Sequence, residues 1–364
     1  MTTLEGLRTN LFATAKAACL VEAREISVKW PGSSLPSEAA IEDFARWIST
    51  SAGPVANAHL TLNSGAFAPG GSRLVGMPDM PANMEWPNHN GRPLAFLAQI
   101  DLASLPSGVD WPAPRKGWLY FFLGAVDGDK YTSIEVGNVD SSPNRTLYFG
   151  GSISELRPRP SPEGTIAPYE FSKAVPYSVS FELGLSAPSG LADLWPFGLR
   201  GNGDLPWERN PDLRSFDRLQ MLDYGPVMRE CKDRMFGLPR HTQTQDSQFM
   251  AAATMAGFGS VMHLDGMSPE QFERFYLPLR REWTSPEFVK LFKEMKARQS
   301  WLEDEARHWC SLFSLGSHRH GNTGRGGGSW HFCWDDVQTY HVSVDQRRTR
   351  SGDFSQTFIH ISAD

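Results

Sequence analysis

No two cysteines in this chain stand in a CxxC spacing. Cys19, Cys231, Cys310 and Cys333 lie far apart in 364 residues. A four-cysteine zinc site needs close pairs, and a disulfide framework belongs to shorter, cysteine-dense chains, so both are disfavoured. The four read as buried or inert thiols. No apolar run approaches the ~18 residues of a membrane span. Glu5, Arg8 and Lys16 interrupt the N-terminal stretch, which leaves no apolar h-region for a signal peptide. The expectation is a cytoplasmic protein with no membrane association. Basic charge is short: 35 Lys and Arg face 41 Asp and Glu, a net −6. A phosphate-tracking surface needs the opposite balance, so no nucleic-acid partner is expected. The catalytic signatures HExxH, GxSxG and GxxxxGK[ST] are also missing. No cofactor is implied, and the oligomeric state is left open.

Glycine and proline are in excess, at 33 and 26 residues, above the usual ~12% together. That predicts a loop-rich fold and not a helical bundle. Leu4, Leu7, Leu11, Ala15 and Ala18 recur at helical steps, and a second helix is expected from Ser37, with Ile41, Phe44, Ala45 and Ile48 as its apolar stripe. These make an N-terminal helical segment over 1–56. From about residue 57 the chain alternates short apolar or aromatic runs with turn residues, as antiparallel strands do. LAFLAQID (94–101) and GWLYFFLG (117–124) are the clearest, with SIEVGNV, RTLYF and YSVSFEL weaker. Residues 213–308 read as mostly helical. Ser268-Pro269-Glu270-Gln271 and Ser285-Pro286 are helix starts. The last block returns to strands in WCSLFSLG, SWHFCW, TYHVSV and SQTFIHI.

Leu74-Val75-Gly76-Met77-Pro78 is similar to Met235-Phe236-Gly237-Leu238-Pro239. An apolar strand and then an aromatic strand follow each box, LAFLAQID with LYFF and WCSLFSLG with WHFC. Two related halves, the second carrying inserted helices, would account for this.

The stretch 72–122 carries more. Ser72-Arg73-Leu74-Val75-Gly76-Met77-Pro78 leads to Glu85-Trp86-Pro87, then Asn90-Gly91-Arg92-Pro93-Leu94, Phe96-Leu97-Ala98-Gln99-Ile100-Asp101-Leu102 and Gly117-Trp118-Leu119-Tyr120-Phe121-Phe122. This run resembles the YwqG-like family, a bacterial family of unassigned function. Arg145-Thr146-Leu147-Tyr148-Phe149, Leu156-Arg157-Pro158-Arg159-Pro160, Phe236-Gly237-Leu238-Pro239 and Asp353-Phe354-Ser355 resemble later boxes of the same family. Where the family has Gln-Ile-Asp-Ser-Asp and a Trp-Gly-Asp loop, this chain has Ser314-Leu315-Gly316-Ser317-His318 and a glycine-rich loop. The resemblance spans about 57–361. It implies an α+β fold over 57–364, with antiparallel sheets from two duplicated halves, and the helical run at about 213–308 reads as an insertion in the second half. Some relatives sit beside secreted polymorphic toxins and look like their immunity proteins.

Two loops are the candidate contact surface. One is the Gly/Pro-rich stretch with Trp195, Phe197 and Trp207. The other, 317–328, has five glycines in twelve residues and carries His318, Arg319, His320 and Arg325. No helix follows that loop, so it does not form a phosphate cradle. His331 and Cys333 share a strand face, and His318, His320 and His341 could sit nearby. Zinc is arithmetically open there, although strand His and Cys more often pack or hydrogen-bond. Arg347, Arg348 and Arg350 read as a small solvated basic turn. The expected function is non-catalytic protein binding, as the immunity protein of a cognate toxin. The alternative is an uncharacterised enzyme or metal-binding protein using the His/Cys cluster at 318–341.

Overall fold

The computed structural model describes residues 3–29, 37–62, 67–126, 130–131, 144–165, 175–186, 233–237, 247–264, 266–280, 285–316, 318–319, 330–332 and 339–362. Helices α1 (Leu4–Lys29) and α2 (Glu38–Ser51) form an N-terminal hairpin. Ser37 caps α2 by accepting from the Ala40 amide at 3.2 Å. Ile41, Phe44 and Ile48 of α2 bury against Leu11, Cys19 and Ala23 of α1. No helix among the described residues is long and apolar enough to cross a membrane.

Ten strands build one antiparallel sheet. They are β1 (Gly53–Leu62), β2 (Arg73–Leu74), β3 (Ala95–Asp101), β4 (Trp118–Leu123), β5 (Arg145–Phe149), β6 (Tyr177–Ser186), β7 (Arg234–Met235), β8 (Trp309–Gly316), β9 (Thr339–Asp345) and β10 (Thr357–Ser362). Their order across the sheet is β5-β4-β3-β2-β6-β1-β7-β8-β9-β10. The class is therefore mixed α+β, with the long antiparallel sheet that the alternating runs predict.

β4 is apolar throughout, and β3 is apolar apart from Gln99 and Asp101, because both their faces are covered. Leu119, Phe121 and Leu123 face the main core, while Trp118, Tyr120 and Phe122 face a second cluster with Met80, Trp86, Leu94 and Leu156. Asp79–Pro81 pairs with Leu156–Pro158 to lay that cover down. Asn90 and Gly91 both take positive φ, 51° and 77°, and turn the Asn88–His89/Arg92–Pro93 hairpin as an Asn-Gly pair should.

The covering layer on β8 and β9 is helical. Helix α3 (Ser247–Met255) packs on both strands, and α4 (Pro286–Ala297) and α5 (Gln299–Ala306) join it through Phe292, Met295 and Leu302. The covered face carries Ser311, Ser314, His341 and Ser343, and α3 buries Ala251, Ala252 and Ala253. Small side chains on both sides let helix and sheet approach closely. Residues 272–276 widen into a π turn. Pro278 lacks the amide that would bond back to Arg274, and Leu277 donates to the Phe272 carbonyl instead. Ser268 starts this run in a capping box with Gln271. Ser268→Ala should lower stability by about 1 kcal/mol, read by urea titration.

The strands are not paired in chain order. Among the described residues β1 pairs only with β6 and β7, and β6 only with β1 and β2. β6 therefore lies between β2 and β1, and β1 between β6 and β7. The two glycine boxes take matching places. Arg73 pairs with Gln99 and Arg234 with Ser314. Val75 donates to the Leu97 carbonyl at 2.7 Å and Phe236 to the Leu312 carbonyl at 3.0 Å. The register breaks at the same step on β3, between Phe96 and Ala98, as on β8, between Ser311 and Phe313. Each box turns through positive φ, Val75-Gly76 at 57° and 83°, Phe236-Gly237 at 63° and 94°. A Cβ on Gly237 would stand 2.5 Å from Val55 Cγ1, so only glycine fits.

One sequence expectation needs correcting. The strand beside β8, in the place that β4 takes beside β3, is TYHVSVD of β9 and not SWHFCW. Trp330–Phe332 pairs instead with His318–Arg319 in a separate two-stranded ladder. A period-two apolar pattern marks both segments as strands but does not say which one joins the main sheet.

Candidate functional site

The family-like box at 72–79 builds a buried polar centre. Arg73 Nη2 lies 2.5 Å from Asp79 Oδ2, with both side chains almost wholly buried. The guanidinium also donates to the carbonyls of Gly71, Met77 and Ala68, and stacks over Phe67 at 4.6 Å. Asp79 Oδ2 accepts from the Gly70 amide at 2.7 Å, and the Asp79 amide donates to Gln99 Oε1 at 2.7 Å. Tyr120 donates to the Asp79 carbonyl and Trp118 to that of Gly70. Burial pulls Arg73 below its usual guanidinium range, and Asp79 opposes that pull. Burial pushes the Tyr120 phenol well above its ordinary value. These groups satisfy one another, so the box is a lock that holds Ala68–Asp79 on β3 and β4.

The matching row of the other half runs Asn57, Arg234, Ser314, His341 across β1, β7, β8 and β9. Arg234 stands where Arg73 does, Ser314 where Gln99 does and His341 where Tyr120 does. Ser314 Oγ and His341 Nδ1 are 2.9 Å apart and buried. Arg234 Nη1 donates to Ser186 Oγ at 3.1 Å, and the Gly316 amide donates to Asp233 Oδ1 at 2.9 Å. A serine beside an imidazole has the composition of a nucleophile and base, but this pair is enclosed between sheet and helical layer and serves as a core hydrogen bond. Sequence reading does not select Arg234 or Ser314, and it offers His341 only as a neighbour of the His/Cys cluster. The repeated Arg-x-x-Gly box was the signal that could have found the first.

The Ser186–Arg234 and Asp233–Gly316 bonds tie together the places where both candidate loops attach. The chain leaves β6 at Ser186 and returns at Asp233. It leaves β8 at Gly316 and returns at Thr339, which is the register partner of Gly316. Trp195, Phe197, Trp207, His320, Arg325 and Cys333 lie outside the described residues. His318, Arg319 and His331 fall on the two-stranded ladder. Among the described residues no group of three or more His, Cys, Asp or Glu is placed to hold a metal. Among the described residues Cys19 and Cys310 form no disulfide, and burial pushes the Cys310 thiol up to about 12.

The arginines near the C-terminus form no free basic patch. Arg347 bonds Asp345 and Glu305, Arg348 bonds Asp353, and Arg350 bonds Asp110. Asp353-Phe354-Ser355 is a clamp. Asp353 accepts from the Ser355 hydroxyl and amide and from Arg348, which hold its carboxyl down at about 2. Phe354 is buried against Tyr148. A carboxyl depressed in the folded state stabilises fully above its unfolded value of ~3.9. That contribution fades as pH falls through about 2. Thermal melts should therefore separate wild type from Asp353→Asn at pH 6, and the gap should close as the pH approaches 2.

Residues 72–362 match the family described as Domain of unknown function (DUF1963). None of the curated proteins matches the chain.

Proposed function

We propose, from the premise that the chain belongs to the DUF1963 family, that it is a non-catalytic, cytoplasmic protein-binding protein. In this reading it is a bacterial YwqG-like protein that acts as the immunity protein of a cognate toxin. The observation that carries the reading is the shared rim. Two long connections, 187–232 and 317–338, attach at one place, around Ser186, Asp233, Arg234 and Gly316. Loops on a rigid sheet are where contact residues concentrate. One connection supplies Trp195, Phe197 and Trp207 as apolar anchors of the kind binding hot spots favour. The other supplies His318, Arg319, His320 and Arg325. The acidic net charge and the toxin-adjacent relatives of the YwqG-like family support the same partner class. The matching hydrogen bonds of the two glycine boxes support an origin of the sheet in two duplicated halves.

The test is protection. A toxin domain encoded immediately upstream should bind the purified chain, and co-expression should restore growth. Trp207→Ala should weaken that binding by about 2 kcal/mol or more with folding retained. Unchanged hydrogen exchange in 195–210 and 317–328 at saturating toxin would sink the reading. Stoichiometric zinc lost on His331→Ala would favour the enzyme or metal-protein alternative.

A further inference from the structure

We propose that a second copy of this chain is a partner, and that two copies exchange halves to form a dimer. In it, the half ending at Thr165 from one copy is completed by the half beginning at Val175 from the other.

The pairing of the central strands carries this. All ten residues of β1 pair with β6, from Gly53 opposite Ser186 to Leu62 opposite Tyr177. β1 also meets β7 through Ala56 and Asn57, and β6 meets β2 through Tyr177 and Ser178. Within its own half, β1 has no strand partner among β2–β5, and β6 has none among β7–β10. Each half thus presents a slot between two strands and carries a strand built for the other half's slot. Main-chain pairing does not record which copy supplies the strand.

The remaining contacts between the halves are equally transferable. Phe121 stacks on Phe313 at 4.8 Å, Trp111 on Phe236 at 5.0 Å, and Tyr148 packs on Phe354 at 5.7 Å. Arg350 reaches Asp110 at 3.0 Å. An exchanged dimer repeats every one of these contacts twice. Exchange of identical elements is a low-cost route to a dimer for this reason. The covalent tie through the residues between Thr165 and Val175 raises the effective concentration of one half near the other and favours the closed monomer in dilute solution. Protein concentration and the length of that tie therefore set the balance.

The register supplies the experiment. His59 and Ser180 are exposed and directly opposite each other. Opposed antiparallel residues have Cα separations of ~4.5–5.5 Å, within disulfide range. The full chain carrying His59→Cys and Ser180→Cys is unfolded, refolded over a range of protein concentrations, oxidised and separated by size. The 59–180 linkage is then mapped in each fraction. Dilute refolding should give monomer with the linkage inside one chain. Concentrated refolding should give a discrete dimer with the linkage between chains, and the dimer-to-monomer ratio should rise about tenfold per tenfold protein at low conversion. Removing 167–173 should shift the chain to dimer at every concentration. Absence of a discrete dimer in the concentrated full-length arm overturns the proposal, whether or not the shortened chain folds. A dimer whose 59–180 linkages all lie within single chains overturns it too, because it forms through some other surface.

Discussion

Asp79→Ala should cost about 3–5 kcal/mol, a large share of the ~5–15 kcal/mol that holds an ordinary domain folded. The substitution leaves the Arg73 guanidinium buried with carbonyl acceptors but no counter-charge, and it also strips the Gly70 amide of its acceptor. A buried charge that cannot be hydrated carries a penalty far larger than a lost surface pair. The double variant Arg73→Met, Asp79→Leu removes both charges and should recover most of the loss. Urea titration of the three variants beside wild type gives the answer. If Asp79→Ala falls within about 1 kcal/mol of wild type, the lock has another source of stability.

Phe313→Ala should be the costliest simple truncation in the sheet, at about 3–5 kcal/mol. Phe313 is buried on β8 and stacks on Phe121 of β4, so this ring pair, with Trp111–Phe236 and Tyr148–Phe354, joins the two sides of the main core. Truncation removes a large apolar side chain where the surrounding strands cannot collapse onto the space. A double-mutant cycle with Phe121→Ala should show coupling of about 0.5–1.5 kcal/mol beyond the two single effects. Additive losses would mean that the rings share a core without supporting each other.

Much of this architecture was legible before any coordinates. LAFLAQID and GWLYFFLG could be read as strands because an aromatic and apolar run between turn residues has few other uses. Ser37 and Ser268 announced their helices through capping chemistry that acts within one turn. What stayed hidden was long-range. β2 and β7 are two residues each, too short for any period to register, although the glycine boxes that follow them were visible as a repeat. The placement of β1 beside β6 and β7 was hidden too, since chain neighbours are the default partners. Arg73, Asp79 and Gln99 were visible as motif residues, yet nothing in a sequence states that an arginine is buried. Ser314 and His341 meet only through the register of β8 with β9. For the candidate loops the physics is weaker still. Glycine-rich connections follow no period, and an aromatic residue between prolines fits a contact surface and a core equally well.

The crossing of first strands also sets a timetable. The ribosome finishes β1 at Leu62, and its long partner begins only at Tyr177. At ~5–20 residues per second the strand waits on the order of ten seconds with both hydrogen-bonding edges open. An open edge of that kind invites pairing with other chains. β1 spends the interval as GPVANAHLTL, in which Pro54 blocks one amide and Asn57, His59 and Thr61 keep alternate positions polar. Those alternating polar positions thus protect the strand during its wait, and chaperone demand should fall on nascent chains that have passed residue 62 but not yet 186.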